Sequence, residues 1–293
     1  MNCPNCGHSV AAAIGPYLGS HEIFRRMRMA RCERCELVFA EPQPSQAELA
    51  DYYSHYWDGK VAVSTPSTRR YYLAQSLSRV DYLRRFGILD ARPAVLDVGA
   101  GLGLFHDGLG RRGIAHDYVA VETDREQLEG LRRRFGDAGA FRRLEDVPAG
   151  RMFDLLVLSH VLEHMDRPHD FLAGSMQRLR PGGLLFVEVP HRDDRYKALF
   201  ESHLLFFNPQ SLGDLLGRHG KVLDVSTVGK VTAKFFVAHV HPQPDTLRPL
   251  KELVRSGLAL VTPGYYGKLI AQYELSGYGG DRQWLRAVIS RRE

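Results

Sequence analysis

The sequence predicts an α/β fold: a mostly parallel sheet with helices on both faces, preceded by a small metal-binding module. Three observations predict it. A short apolar strand breaks into a glycine turn at Ala94–Gly103. Strand-like and helix-like segments alternate from about residue 94 to residue 242. All four cysteines fall before residue 40, in two Cys-x-x-Cys pairs.

The composition sets the outer bounds. A chain of 293 residues holds one large domain, or one ordinary domain with attachments. Apolar residues make up 44% and charged residues 25%, the balance of a soluble globular protein. A net charge of +5 is too mild to argue for nucleic acid by itself. No apolar run approaches the ~20 residues of a membrane span. The start, Met1 to Pro4, lacks a basic-then-apolar leader pattern, so the expected location is cytoplasmic and no membrane partner is expected.

Residues 1–40 form the expected zinc-ribbon-like module. Cys3 and Cys6, and Cys32 and Cys35, each set two thiolates on one tight turn, and two such turns complete a tetrahedron around Zn²⁺. No cysteine is left over, and the expected compartment is reducing, which disfavours disulfides. Four protein ligands fill the site, so the zinc is expected to be structural. His8 and His21 lie near but are superfluous as ligands. Arg25, Arg26, Arg28, Arg31 and Arg34 alternate with Glu22, Glu33 and Glu36, which reads first as a solvated mixed-charge face and second as a phosphate contact.

Residues 41–90 are read as linker and lid helices. Pro42 and Pro44 stiffen the linker. Ser45 followed by Glu48 is a capping box that starts a helix. The aromatic run Tyr52, Tyr53, Tyr56 and Trp57 is read first as packing against the core. Its second reading is a lid whose rings cover a cationic cofactor or a substrate. Residues 60–68 read as a loop. Tyr72, Leu73, Leu77, Val80 and Leu83 recur at helical spacing, predicting a helix over 69–86.

The core is expected over 91–242. Strands are predicted near 94–99, 117–122, 139–143, 153–159, 183–189, 221–228 and 233–240. Helices lie between the first five, and another covers Pro209–His219. The last two strands are too close in sequence for a crossover and must form an antiparallel hairpin. Gly99, Gly101 and Gly103 let the chain turn sharply and let a ligand approach the backbone ahead of a helix N-terminus. Glu122 closes the next apolar run about 20 residues on, where a ribose-binding acid belongs.

The stretch Asp97–Gly103 resembles motif I of the class I S-adenosylmethionine-dependent methyltransferases. Further landmarks follow in that family's order: Phe153–Ser159, His160–Pro168 with its Leu-Glu-His core, Leu179–Leu185 with Pro181-Gly-Gly183, and Glu201–Leu212. The resemblance covers roughly half the chain and is nearest the small-molecule and sugar methyltransferases. It implies a Rossmann-like sheet of order 3-2-1-4-5-7-6 with an antiparallel last strand. It also implies S-adenosylmethionine contacts at Asp97, Gly99, Ala100, Gly101, Gly103, Glu122, Thr123, Arg143, Leu144, Ser159 and His160. Arg143 departs from the family, which often has an acid there for the adenine amino group. Arginine cannot accept that bond, so backbone groups of Arg143 and Leu144, or Glu145, must serve.

Methyl transfer to a hydroxyl needs a base, and histidine suits neutral pH. His160, His164, His191 and His203 all fall at or just beyond strand ends. His203 is the preferred base. His164 is the second catalytic candidate, with a pocket-shaping role as its alternative. His191 to Asp194 reads as a solvated loop or, less favoured, a metal-assisted site.

Residues 243–293 are read as a helical appendage: a helix over 247–258, a turn at Pro263–Gly267, a short helix over 268–274, and an amphipathic piece at 284–289. It is expected to pack on the core or on a second subunit. The leading functional expectation is methyl transfer to a small-molecule acceptor, as O-methylation of a sugar, polysaccharide precursor or secondary metabolite. A sugar C-methyltransferase is the next reading. An RNA methyltransferase that contacts nucleic acid through the basic module is another. A non-enzymatic assembly partner is disfavoured by the intact Asp97, glycine turn and Glu122.

Overall fold

A computed structural model of the chain describes residues 1–293 apart from 11, 20, 56–64, 198, 201, 232–247, 271–274, 276 and 293, and apart from the side chains of 252, 266 and 269. Tyr56 and Trp57 of the aromatic run lie outside the described residues, as does the strand expected at 233–240.

The N-terminal module is an antiparallel sheet of β1 (Ala13–Pro16), β2 (Arg28–Arg31) and β3 (Val38–Glu41). The Cys32–Cys35 turn is the hairpin that joins β2 to β3. Arg25, Arg26, Arg28, Arg31 and Arg34 are exposed, as a solvated face requires, and Arg26 pairs with Glu48 at 2.9 Å. Ser45 caps α1 (Gln46–Ser54) through the expected box: the Glu48 N–H donates to Ser45 Oγ at 3.3 Å, and the Ser45 N–H donates to Glu48 Oε2 at 2.7 Å. Such a cap is worth about 1 kcal/mol. α2 (Pro66–Leu83) follows, capped by Thr65, with proline in its first turn, where no N–H is needed.

The core alternates as expected. Its elements are β4 (Ala94–Val98), α3 (Leu104–Arg111), β5 (Asp117–Val121), α4 (Arg125–Phe135), β6 (Ala140–Phe141), β7 (Phe153–Ser159), α5 (Pro168–Gln177) and β8 (Leu179–Pro190). Leu155 to Leu158 are fully buried, as in a strand covered on both faces. α3 lies against α2 at Gly108, where a Cβ would stand 3.3 Å from the Ser76 backbone. The short β9 (Leu205–Phe206) and α6 (Pro209–Gly217) lead to β10 (Lys221–Val231).

The sheet order is β10-β11-β8-β7-β4-β5-β6, where β11 is Arg282–Ser290. β11 runs antiparallel to both neighbours and the other pairings are parallel. Read from β6, this is the expected 3-2-1-4-5-7-6 order. The partner of β10 corrects the sequence reading, which left 284–289 in the appendage. β11 inserts between β10 and β8 and buries Trp284 to Ile289. The physical reason is Arg286, which interrupts the apolar run and is nevertheless fully buried beside Glu188.

The remaining C-terminal elements are α7 (Arg248–Val261) and α8 (Pro263–Ile270), both packed on α2. Pro263–Gly267, read as a turn, instead opens α8, with its proline at the start of the helix. No described helix is long and apolar enough to cross a membrane.

β9 belongs to the other sheet. It extends the module as β1-β2-β3-β9, with Val38 opposite Phe206 and Phe39 opposite Leu205. One continuous core therefore includes Phe24, Met29 and Phe39 of the module and Phe206, Leu212 and Leu215 of the larger domain.

Candidate active site

The carboxyl ends of β4, β5 and β7 open onto a cavity of about 720 Å³. α1 and α2 supply its wall through Tyr53, Tyr71, Tyr72, Gln75 and Arg79. His203 and Trp284 line it as well. The expected cofactor residues Asp97, Gly99, Ala100, Gly101, Glu122, Thr123, Arg143, Leu144, Ser159 and His160 all line it, as do His164 and His203. Gly103 does not. It turns the chain into α3 at φ +69°, and a Cβ there would press on Leu131 and Phe135 within 3.3 Å.

The glycine turn divides its labour. A Cβ on Gly99 would stand 2.5 Å from Val161, so that glycine is required by the protein's own packing. A Cβ on Gly101 would meet nothing within 4 Å, although its φ of +53° still favours glycine. Gly101 is thus the position where the backbone is bare towards the cavity. Glu122 Oε2 accepts from the Gly101 N–H at 2.8 Å and Oε1 accepts from the Asp124 N–H at 3.0 Å. Each oxygen keeps a lone pair for a further donor. Burial pushes the Glu122 carboxyl up, against those backbone bonds. Asp97 is buried and is pushed up to about 7 by desolvation, opposed by the Tyr118 hydroxyl that donates to it at 2.5 Å. A bare turn backed by two acids at successive strand ends fits a ligand with an adenosine-like diol. The Arg143 N–H is already donated to Asp146 at 3.0 Å, and the Leu144 carbonyl already accepts from the Val147 N–H at 3.3 Å and from Arg178 at 3.2 Å.

The histidines separate by environment. His160 sits at φ +57° with Nδ1 3.3 Å from Glu163 Oε1 and Nε2 3.5 Å from Glu188 Oε1. Burial opposes its charge, but the two carboxylates outweigh burial and hold its pKa above the ordinary value. His164 faces the opposite balance: burial dominates and pulls it down to about 4. Its Nδ1–H donates to the Ser202 carbonyl at 3.0 Å. His191 faces a separate, shallower pocket beside β10, with Nδ1 2.8 Å from the Arg282 carbonyl.

His203 is 7% exposed, its Nδ1 is 2.7 Å from Asp193 Oδ2, and its ring centroid is 4.9 Å from that of His164. The Asp193 carboxylate meets a burial penalty. The His203 charge and hydrogen bond, joined by Lys197 at 3.2 Å, overcome it and hold Asp193 at about 2. Asp193 thus serves His203, not its sequence neighbour His191. The Lys197 ammonium lies 3.1 and 3.3 Å from the two ring nitrogens, beside the ring rather than on the axis of either. Donor atoms of Glu163, His164 and His203 come within 4.8 Å of one another. The Lys197 ammonium, 3.1 Å from His203 Nε2, sets a positive charge beside this group.

Sequence reasoning missed Arg79, Lys197 and the role of Asp193. Arg79 donates through Nε and Nη2 to Glu188 Oε1, at 2.8 and 2.5 Å, from the middle of α2. An arginine next to Val80, one of the helically spaced apolar residues, was its one available signal.

The four cysteines gather as expected. Cys3 Sγ lies 3.6 Å from Cys35 Sγ, and Cys6 Sγ lies 3.5 Å from Cys32 Sγ. A ZnS₄ tetrahedron with bonds of about 2.3 Å has edges of about 3.8 Å, so the donor set fits zinc. The hydrogen bond to Cys3 pushes the Cys35 thiol up, and burial raises Cys6. A divalent cation is the charge that would stabilise thiolates so crowded.

Residues 67–227 match the family model described as "Methyltransferase domain", more than half of the chain. The chain belongs to this family. The methyltransferase domain is similar to the mitochondrial ubiquinone biosynthesis O-methyltransferase of Candida albicans, at 30% identity over 120 residues, 38% of this chain and 37% of that protein. It is also similar to the C-methyltransferase NovU of Streptomyces niveus, at 36% over 70 residues, 22% of this chain and 17% of that protein. The chain thus spans less than half the length of either curated relative. Among solved structures, the Burkholderia thailandensis 1,6-didemethyltoxoflavin-N1-methyltransferase shares the fold, with a TM-score of 0.52 and 18% identity over 94% of this chain and all of that one.

Proposed function

We propose that this chain methylates a hydroxyl of a small acceptor, with His203 as the base, Asp193 as its positioning residue, and S-adenosylmethionine as the donor. One observation carries the reading. His203, whose Nδ1 meets Asp193 Oδ2 at 2.7 Å, lines the same cavity as the bare glycine turn. When bound, S-adenosylmethionine supplies an electrophilic methyl group. Asp97, Ala100, Gly101, Glu122, Thr123 and Leu144 would hold it, and Arg79 offers a cation for its carboxylate end.

The chain's own residues account for the proton. Asp193 accepts from His203 Nδ1–H and fixes the tautomer, leaving Nε2 to take the acceptor's proton. Lys197 keeps the Asp193 carboxylate paired. His164, with its pKa near 4, is neutral at pH 7 and a poor base. Its Nε2 is suited to accepting a hydrogen bond from the acceptor. Tyr53, Phe171, Met165 and Trp284 give the cavity apolar walls. Bringing two reactants together in such a cavity supplies much of the rate. A structural zinc in the four-cysteine module completes the proposed protein.

C-methylation is the second reading, supported by the similarity to NovU. The same His203 would then take a proton from an activated C–H. The test is to screen hydroxylated metabolites for release of S-adenosylhomocysteine, and then to assay His203→Ala and Asp193→Asn on the acceptor found. Unchanged affinity for S-adenosylhomocysteine with turnover lowered about 10²-fold or more supports the base. Normal turnover in His203→Ala removes it. NMR of the product separates O- from C-methylation.

A further inference from the structure

The backbone that carries His203 is held by the four-cysteine module as well as by the methyltransferase domain. The Tyr17 hydroxyl donates to the His203 carbonyl at 3.1 Å. Three residues before the base, the Phe200 N–H donates to the Leu18 carbonyl at 2.7 Å. One residue after it, the Leu204 carbonyl accepts from the Ala40 N–H at 2.8 Å, and β9 then pairs with β3. Asn208 Nδ2 donates to the Glu36 carbonyl at 3.2 Å, just beyond β9. The domain's own grip comes from the other side: the Leu204 N–H donates to the Glu163 carbonyl at 2.8 Å, the Arg192 N–H donates to the Phe207 carbonyl at 2.9 Å, Ser202 accepts from His164, and Asp193 holds the His203 ring.

The metal knuckle connects directly to this grip. The Cys32–Cys35 turn is the hairpin that sets β3 against β2, and the Cys32 N–H closes it on the Leu37 carbonyl at 2.9 Å. β3 begins one residue later and is the strand on which Leu204 to Phe206 are laid. Tyr17 is itself fixed, 6% exposed, with its ring against Phe24 and Phe200. By contrast, the glycine turn, Asp97 and Glu122 have their hydrogen-bond partners within the methyltransferase domain. The two halves of the cavity therefore have separate supports.

We propose that the four-cysteine module is a structural part of the acceptor half of the active site, and that Tyr17 is a positioning residue for His203. This rests on His203 being the base. A strand added to the edge of a sheet fixes backbone position through main-chain hydrogen bonds, whatever the side chains. Here the added strand, β9, begins two residues after the base.

The experiment compares the parent protein with Tyr17→Phe and Cys35→Ser, each saturated with S-adenosylhomocysteine. Three quantities are read: affinity for S-adenosylhomocysteine by calorimetry, bound zinc, and the His203 ring resonances in ¹⁵N-histidine-labelled protein, assigned by their loss in His203→Ala. Tyr17→Phe is expected to keep its zinc and to keep its affinity within about twofold, while the His203 resonances shift or broaden. Turnover should fall about fivefold with little change in KM, the order of effect of one hydrogen bond. Cys35→Ser should lose zinc and disturb His203 further, again with the affinity retained. His203 resonances that superimpose on the parent's in both variants overturn the proposal. So does a joint loss of S-adenosylhomocysteine binding, which would make the module a support of the whole domain. The ring resonances test the coupling even if His203→Ala turns over normally, so failure of the base assignment is read separately.

Discussion

Arg286 and Glu188 stand opposite each other in the β11–β8 register, with Arg286 Nε 2.6 Å from Glu188 Oε2 and neither side chain exposed. Glu188 also takes Arg79 from α2. Burial alone would raise its pKa, but the two guanidiniums hold it well below the usual carboxylate range. The inserted last strand, the wall helix and the cavity floor thus meet at one carboxylate. Arg286→Leu leaves that carboxylate short of a partner in the core. The expected loss is about 3–5 kcal/mol, read as a lower midpoint in urea unfolding. A midpoint within experimental error of the parent's would mean that the pair is replaceable by packing alone.

Gly101→Ala tests the cradle with little packing cost. Its new methyl meets no protein atom, so the strain of a positive φ, about 1–2 kcal/mol, is the main penalty to the fold. The methyl lies where the bare turn faces the cavity. Affinity for S-adenosylhomocysteine should fall about tenfold or more, with the protein still folded by circular dichroism. Retained affinity would move the ligand away from this turn. Gly99→Ala, which drives a methyl into Val161, should instead lower the melting temperature.

Acid should destabilise the protein in two stages. Burial keeps the folded pKa of His164 near 4, below its ordinary ~6.5. Between those values the unfolded chain binds a proton that the folded one refuses, so stability falls as pH drops from about 6.5 to 4. The loss is on the order of 3 kcal/mol. Asp193, held near 2, contributes stability above about pH 4 that is lost as pH falls towards 2. His160 acts in the other sense: its raised folded pKa adds stability at low pH that is lost on raising pH. His164→Gln should therefore flatten the slope between pH 6.5 and 4 and spare the steeper fall below it. An unaltered slope would assign that range to other groups.

Elemental analysis should find one zinc per chain, and Cys32→Ser should lose it. Chelation should lower the thermal midpoint, because the free energy of a structural zinc site is folding free energy. A metal-free protein of unchanged midpoint would make the four thiols a redox group instead.

Local chemistry determined a good deal of this protein from sequence alone. The glycine turn after an apolar run, the Ser45–Glu48 cap and the two cysteine knuckles each depend on residues a few positions apart. Pattern and propensity fix such features before any tertiary contact forms, and the seven-strand order came with the family resemblance they carry. Tertiary structure decided what depends on distant partners. Arg286 reads as a solvent-facing residue until Glu188 neutralises it, so the last strand was hidden in the apparent appendage. Asp193 sits two residues from His191 but serves His203, because the chain folds back to bring β9 onto the module. His160 and His164 are four residues apart in one short turn, yet their pKa values move in opposite directions. Two carboxylates face the first, and burial governs the second. Burial and charge pairing are properties of the assembled interior, and no window along the chain contains them.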